Sequence, residues 1–372
     1  MEIKRLKEQL IFAYWFHGMN LAGNRKLWEI SEEIGMPEQI YQCDKKRLEK
    51  FLTTKQLEYF EKCRNTWDLE KKWKELEERG IRFLPFFHEE YPKQLNDIPD
   101  PPWAVYLKGK LPDTELPAAA VVGARQCSEY GRSMAGKLGR MFGENGVSVI
   151  SGMARGIDGI SQRAALEAGG ESLAVLGCGV DICYPKENRD LYDRLTDQGG
   201  VLSEYPPGTQ PLARNFPPRN RIISGLCDIL IVVEAKEKSG TLITVDMALE
   251  QGREVVALPG RVTDALSKGC NNLIRQGAGI LISPEDVFQY IGIEKKLLKK
   301  QVLSDKSDRA YVLKDGEEKK LYKILDYIPK SLEQIWTEYG MDKISIQRLM
   351  KILLELCMKG MAAQTGGFYH KL

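Results

Sequence analysis

The 372-residue chain is poor in histidine, lacks long apolar runs and carries almost no excess of either charge. Its three histidines, His17, His88 and His370, all lie outside the segment with the clearest strand–helix rhythm, which leaves that segment without the commonest general acid–base group. The eight cysteines form no CxxC pair and no cysteine–histidine ligand spacing, so no metal is expected. No stretch approaches the roughly 18 apolar residues of a membrane span. Leu10–Phe16 is short, aromatic and without a small-residue cleavage site, and reads as a helix face rather than a leader. These absences point to a reduced, cytoplasmic protein. GxxxxGK[ST] is missing, as is the Gly-x-Ser-x-Gly nucleophile elbow. Gly123-Ala124-Arg125-Gln126-Cys127-Ser128 keeps one glycine of G-x-G-x-x-G and sets an arginine where a pyrophosphate must approach. NAD-dependent and ATP-hydrolysing enzymes are therefore disfavoured, and no cofactor is expected.

What is present is unevenly spread. The net charge of +2 says nothing about nucleic acid, but between Leu116 and Tyr290 there are 13 arginines and only 5 lysines, and beyond Tyr290 lysine predominates. Arginine holds phosphate through a fork of N–H donors, whereas a lysine-rich surface is usually just solvated, so an anion is expected in the central segment. Residues 1–79 show helical spacing (Leu6, Leu10, Ala13; Leu27, Ile30, Ile34; Leu48, Phe51, Leu52) and read as a small all-α module. Gly18–Gly23 offers a turn like that of a helix-hairpin-helix without its usual glycine order; a packing or partner module is favoured over DNA binding there.

Residues 80–292 read as an α/β domain with a doubly wound, mainly parallel sheet. Strand-like apolar runs (Ala119–Val122, Ser148–Ile150, Leu173–Leu176, Val201–Ser203, Ile229–Val233, Val255–Leu258, Ile280–Ile282) alternate with amphipathic helical patterns at Gly131–Phe142, Ile160–Glu167, Asn188–Leu195 and Leu242–Gln251. Phe83-Leu84 and Val105–Leu107 add short strands at the entry. Residues 293–314 are charged and aperiodic, a linker. Residues 315–372 fit a winged-helix pattern: helices over Lys319–Tyr327, Ser331–Tyr339 with Ser331 as cap, and Ile344–Cys357, then a hairpin turning at Gly366-Gly367. Nine bases against eight acids make this end less basic than a duplex reader, so a protein contact is at least as well supported there.

Ligands of an open parallel sheet bind beyond the carboxyl ends of its strands. Those ends carry Gly123-Ala124-Arg125, Ser151-Gly152-Met153-Ala154-Arg155-Gly156, Gly177-Cys178-Gly179, Lys238-Ser239-Gly240-Thr241 and Pro259-Gly260-Arg261. Glycines admit close backbone approach, and the following helix starts present free N–H groups, so five such turns on one rim favour an anion site. Phe216-Pro217-Pro218-Arg219-Asn220-Arg221 lies in the connection between the strand ending at Ser203 and the one starting at Ile229. A ring can stack on a base, arginine holds phosphate and asparagine reads a base edge; the alternative is a structural loop with a half-buried Phe. Asp158 and Glu234 are the rim carboxylates to test for acid–base work, and their structural alternatives are capping a helix, clamping Arg155 or orienting another arginine.

In order, Gly123-x-Arg125, Ser151-Gly152-x-Ala154-x-Gly156-Ile157-Asp158, Tyr184-Pro185-x-x-Asn188, Ser203-Glu204-Tyr205-Pro206-Pro207-Gly208, Phe216-Pro217-x-Arg219-Asn220-Arg221-Ile222-Ile223, Ser239-Gly240-Thr241-Leu242-Ile243-Thr244 and Pro259-Gly260 resemble the DNA processing protein A (DprA/Smf) family over about Ile81 to Tyr290. The resemblance implies an extended Rossmann domain that dimerises, binds single-stranded DNA and loads the recombinase RecA during natural transformation. It implies phosphate contact by Arg125, base stacking by Phe216, support from Arg219 and Asn220, and donors from Ser151, Gly152, Ser239 and Gly240. With Gly123, Arg155, Gly156, Arg221 and Thr241, these make up the expected binding set, with no catalytic residue among them. The competing reading is a nucleotide-processing phosphoribohydrolase on a related fold. That chemistry needs a glutamate after the Gly-Thr helix start, and Gly240-Thr241-Leu242-Ile243-Thr244 offers none; the next acids are Asp246 and Glu250.

Overall fold

A computed structural model describes residues 2–21, 23–292, 316–326 and 329–371. The linker expected at 293–314 lies outside the described residues. Two compact units arise: Met1–Cys127 with Met134–Glu294, and Ser128–Ser133 with Lys295–Leu372.

The first unit begins with helices α1 (Glu2–Gly18), α2 (Asn24–Ile34), α3 (Pro37–Gln42), α4 (Lys45–Leu48), α5 (Thr54–Thr66) and α6 (Leu69–Glu78). Thr53 and Gln56 close a capping box on α5, and Asp68 accepts from the Lys71 N–H at the start of α6, so each start satisfies an otherwise orphaned donor. Trp15, Phe16, Ile30, Ile40, Leu48 and Phe60 are fully buried. They belong to one apolar cluster with Phe83, Trp103 and Tyr106 of the sheet domain, so the helical module is built onto the sheet. The residues after Gly18 are tied into it as well. Asn24 and Trp28 donate to the Pro101 carbonyl, at 2.5 and 2.8 Å, and the Trp103 N–H donates to Asn24 Oδ1 at 2.7 Å. His17, 5% exposed, shares a 3.0 Å hydrogen bond with the Tyr106 hydroxyl.

Among the described residues, the sheet of this unit has nine strands: β1 (Ile81–Pro85), β2 (Ala104–Gly109), β3 (Ala118–Val122), β4 (Ser148–Ser151), β5 (Ser172–Val175), β6 (Gly200–Ser203), β7 (Ile229–Val232), β8 (Glu254–Ala257) and β9 (Gly279–Ile280). Their order is β1-β2-β6-β5-β4-β3-β7-β8-β9. The pairs from β6 to β9 are parallel, and β1 and β2 add an antiparallel edge. The mainly parallel α/β sheet expected from the sequence is therefore present. β3, β4, β5, β6 and β7 are almost wholly buried, which explains their unbroken apolar runs. From β3 the chain builds β4, β5 and β6 to one side, then crosses back to place β7, β8 and β9 on the other. Ala120 faces Ile150 on one flank and Leu230 on the other, so β3 is the switch strand.

Connecting helices are α7 (Glu129–Glu144), α8 (Ile157–Glu167), α9 (Arg189–Gln198), α10 (Phe216–Gly225), α11 (Gly240–Glu250), α12 (Lys268–Arg275) and α13 (Val287–Tyr290). The segment from Phe216 is not an extended connection but the first turn of α10, with Asn215 as N-cap. Pro217 and Pro218 fit there because first-turn N–H groups have no intrahelical acceptor to lose. The helix is fastened by Arg221, whose guanidinium meets both oxygens of Glu204 at 2.9 and 2.6 Å and the Asp100 carbonyl at 2.8 Å.

The second unit carries α14 (Gly316–Ile324), α15 (Leu332–Tyr339), α16 (Ile346–Met358) and a three-stranded antiparallel sheet of β10 (Lys330–Ser331), β11 (Ala362–Thr365) and β12 (Phe368–Lys371). Ser331 caps α15 and Ser345 caps α16. Gly366 and Gly367, with φ of +57° and +84°, make the two-residue hairpin turn, which requires positive φ at both positions. Leu321, Ile335, Leu349, Ile352, Leu353 and Leu356 form its core.

Two stability predictions follow from these contacts. Burial pushes the His17 pKa down to about 3, so protonation favours the unfolded chain. Stability should be fully present above about pH 6.5 and fall toward pH 3 by up to about 1.4 kcal/mol per pH unit. Denaturant titrations at pH 7 and pH 5 should show a smaller pH-dependent loss in His17→Phe; an identical loss would refute the assignment. Glu204→Ala should remove the bidentate partner of the buried Arg221, leaving the Asp100 carboxylate at 3.5 Å as its remaining counter-charge, and cost about 3 kcal/mol; a loss below about 1 kcal/mol would show that the pair does not fasten α10.

Candidate nucleic-acid interface

A cavity of about 600 Å³ opens at the carboxyl ends of β3 and β7, where the strand order reverses. Gly123, Arg125, Phe216, Arg219, Asn220, Ser239, Gly240 and Thr241 line it, and an adjoining hollow adds Gly152 and Arg155. Segments more than 100 residues apart are thus brought together by strand order alone. Ser151, Gly156 and Arg221 are not among the lining residues.

Close approach explains the glycines. A Cβ on Gly152 would sit 2.7 Å from Arg219 Nη2 and 2.9 Å from Asp158 Oδ2. Gly177, at the end of β5, leaves room for the Phe216 ring, which a Cβ would meet at 2.9 Å. Gly156 has φ +73°, and a Cβ there would meet the Ala124 carbonyl oxygen at 2.3 Å, so it shapes the loop that carries Arg125.

Arg219 is buried. Its Nη1 donates to the Val175 carbonyl and, at 3.2 Å, to the Gly152 carbonyl, while Nε donates to Asn220 Oδ1 at 3.2 Å. Burial lowers its pKa to about 10, opposed by the nearby Asp158 carboxylate. Burial in turn raises the Asp158 pKa, against the pull of Arg219 and the Gly152 N–H, which donates to Oδ2 at 3.2 Å. Asp158 thus serves Arg219 and the β4 turn rather than Arg155, whose guanidinium pairs with Glu187. Glu234, the second carboxylate considered from the sequence, is 3% exposed and is not among the cavity-lining residues.

Phe216 is half-buried, and both Arg125 and Arg219 place their guanidinium carbons 5.9 Å from its ring centroid. Arg125 is exposed and makes no ion pair among the described residues. Across the cavity, Ser239 caps α11, its Oγ accepting from the Thr241 N–H at 3.2 Å. A Cβ on Gly240 would meet nothing within 4 Å, so the start of α11 is open on that side, as suits a helix N-terminus that receives an anion. An aromatic face, an unpaired guanidinium and a helix N-terminus therefore converge on one opening.

Several of the expected residues also have partners within the fold. Ser151 is buried and donates its hydroxyl to the Val121 carbonyl at 2.7 Å, which braces β3 against β4. Arg221 is spent on Glu204. The arginine count also overstates the free positive charge: Arg155, Arg163, Arg189 and Arg194 are ion-paired with Glu187, Asp190, Asp193 and Glu167. The exposed bases without such pairs among the described residues include Arg214, Lys236 and Lys238, in the loops leading to α10 and α11.

Sequence reasoning missed Tyr184 as a site residue. Its ring stacks on Phe216 at 5.3 Å between centroids with 29° between planes, and it lines both hollows. Asn188 of the same segment donates to the Met153 and Ala154 carbonyls at 3.0 and 3.2 Å and fixes the β4 turn. The available signal was an aromatic residue in a glycine- and proline-rich loop at the end of β5.

Known proteins share this architecture. The chain is 47% identical to DNA processing protein DprA of Streptococcus pneumoniae over 198 residues, 53% of this chain and 70% of that protein. A crystal structure of the Streptococcus pneumoniae protein superposes with a TM-score of 0.66 at 36% identity, covering 75% of this chain and 97% of the other. DNA processing protein A from Helicobacter pylori, whose structure is described as giving insight into its single-stranded DNA binding mode, matches with a TM-score of 0.51 at 28% identity, covering 57% of this chain and 95% of that one. With residues 82–292 matching the family described as DNA recombination-mediator protein A, the chain belongs to that family.

Proposed function

We propose that the cavity at the switch strand binds single-stranded DNA, with Phe216 stacking on a base and Arg125 contacting phosphate. The observation that carries this reading is the exposed, unpaired Arg125 guanidinium over the half-buried Phe216 ring. A base can meet the ring while its phosphate meets the charge, and the N–H groups that start α11 add donors for a second phosphate. Tyr184 and Arg219 hold the Phe216 ring in place. Family membership and the strand-binding relative from Helicobacter pylori support the same reading.

The reading is one of binding without chemistry. Asp158, the carboxylate lining the cavity, is already engaged by the Gly152 N–H and by Arg219. We further propose four segments with separate tasks: residues 1–79 as a packing module, 80–292 as the strand-binding domain, 293–314 as a linker and 315–372 as a winged helix. In a transformable cytoplasm, a homodimer joined through the strand-binding domain would cover incoming DNA and load RecA onto it. The absence of any described helix long and apolar enough to cross a membrane is compatible with that setting.

Binding should show little base preference and strong salt dependence. Each phosphate neutralised on a single strand contributes about −0.7 to the slope of log affinity against log salt. Arg125→Ala should make the slope shallower by about that amount; an unchanged slope would remove Arg125 from the phosphate path. Phe216→Ala should weaken binding by about 1–3 kcal/mol with the slope retained, and Phe216→Tyr should bind nearly as well as the native chain. Lost melting temperature with unchanged strand affinity would show instead that the ring is a packing element.

A further inference from the structure

Helix α16 buries one face and leaves the other apolar. Leu349, Ile352, Leu353 and Leu356 enter the core of the second unit. On the opposite side, Ile346, Met350, Leu354 and Met358 are 40%, 48%, 61% and 81% exposed. Their spacing of four residues sets them in a single row along the helix, the ridge that packs into the groove of another helix. Soluble chains rarely leave such a row open without a partner.

The charges beside the row say what kind of partner fits. Arg348 is tied to Glu317 at 3.0 Å. Lys351 is exposed, Glu355 is half-exposed, and neither forms an ion pair among the described residues. One base and one acid cancel, so the face suits neither a phosphate backbone nor a strongly charged peptide. It does suit its own copy. An antiparallel second helix, related by a two-fold axis level with Ile352, sets Ile346 against Met358 and Met350 against Leu354. The same axis brings Lys351 and Glu355 onto one flank of the pair, with each Lys351 about 3 Å along the axis from Glu355 of the second copy. Both salt bridges arise from a single operation, as an isologous interface requires.

We propose that the exposed face of α16 is a self-association surface that pairs antiparallel with α16 of a second copy of this chain. The row spans about 18 Å, so the contact is small. Such a contact is weak between free molecules and becomes effective when copies are held close together, as on one bound strand. The proposal does not depend on the strand-binding reading, because the variants below leave the cavity untouched.

Sedimentation velocity of the full-length chain over a range of concentrations tests it, with melting temperature and single-strand affinity measured on the same samples. Leu354→Glu is a surface change and should keep the melting temperature and the affinity for a strand short enough to hold one copy, while raising the dissociation constant of one association step by at least about tenfold. Lys351→Glu should weaken the same step, and the double charge swap Lys351→Glu with Glu355→Lys should restore it. A native chain without an association step sensitive to Leu354→Glu would overturn the proposal. So would a double swap as weak as the single change, because the two charges would then not meet. Loss of duplex-DNA binding by Leu354→Glu with association unchanged would assign the face to nucleic acid and overturn it as well.

Discussion

The cavity at the switch strand depends on holding one guanidinium out of water. Arg219 sits buried where β4 and β5 end, its N–H groups on the Val175 and Gly152 carbonyls and its charge balanced by Asp158. A buried cation is costly unless hydrogen bonds and an opposite charge surround it, and here both are supplied by the strand ends themselves. Gly152 has no side chain because the guanidinium occupies that space. Phe216 takes its position from Arg219 on one side, Tyr184 on another and the room left by Gly177. The placement of the ring is thus tied to how Arg219 is packed.

Charge is divided along the rim. On the side of β4, β5 and β6, the arginines of α8 and α9 are neutralised by carboxylates of those same helices and the neighbouring loops. Toward β3 and β7, Arg125, Lys236 and Lys238 stand exposed without ion pairs among the described residues. Unpaired positive charge therefore stands at the switch strand, although the net charge of the chain is only +2.

The strands were legible in the sequence because β3 to β7 are buried on both faces and must be apolar throughout. The second helix of the second unit and its glycine hairpin were legible too, through the Ser331 cap and positive-φ turn chemistry. Other features were hidden by tertiary structure. Pro217-Pro218 reads as a helix breaker, and only the first-turn position of both prolines makes α10 possible. Ser151 and Arg221 were assigned to the rim by their neighbours in the chain. The Val121 carbonyl that takes the Ser151 hydroxyl is 30 residues away, and the Glu204 that takes Arg221 is 17 residues away. Tyr184 went unassigned because its stacking partner lies on another element. Side-chain commitments of this kind follow from strand order and burial, which periodicity does not encode.

Backbone hydrogen exchange with and without a short oligothymidylate tests the central claim most directly, since it reports where a strand lies without altering the chain. Slower exchange should appear in the segments around Gly123–Cys127 and Ser239–Ile243, at the cavity mouth. Protection confined to residues 2–78 or 316–371, with those two segments unchanged, would contradict the account.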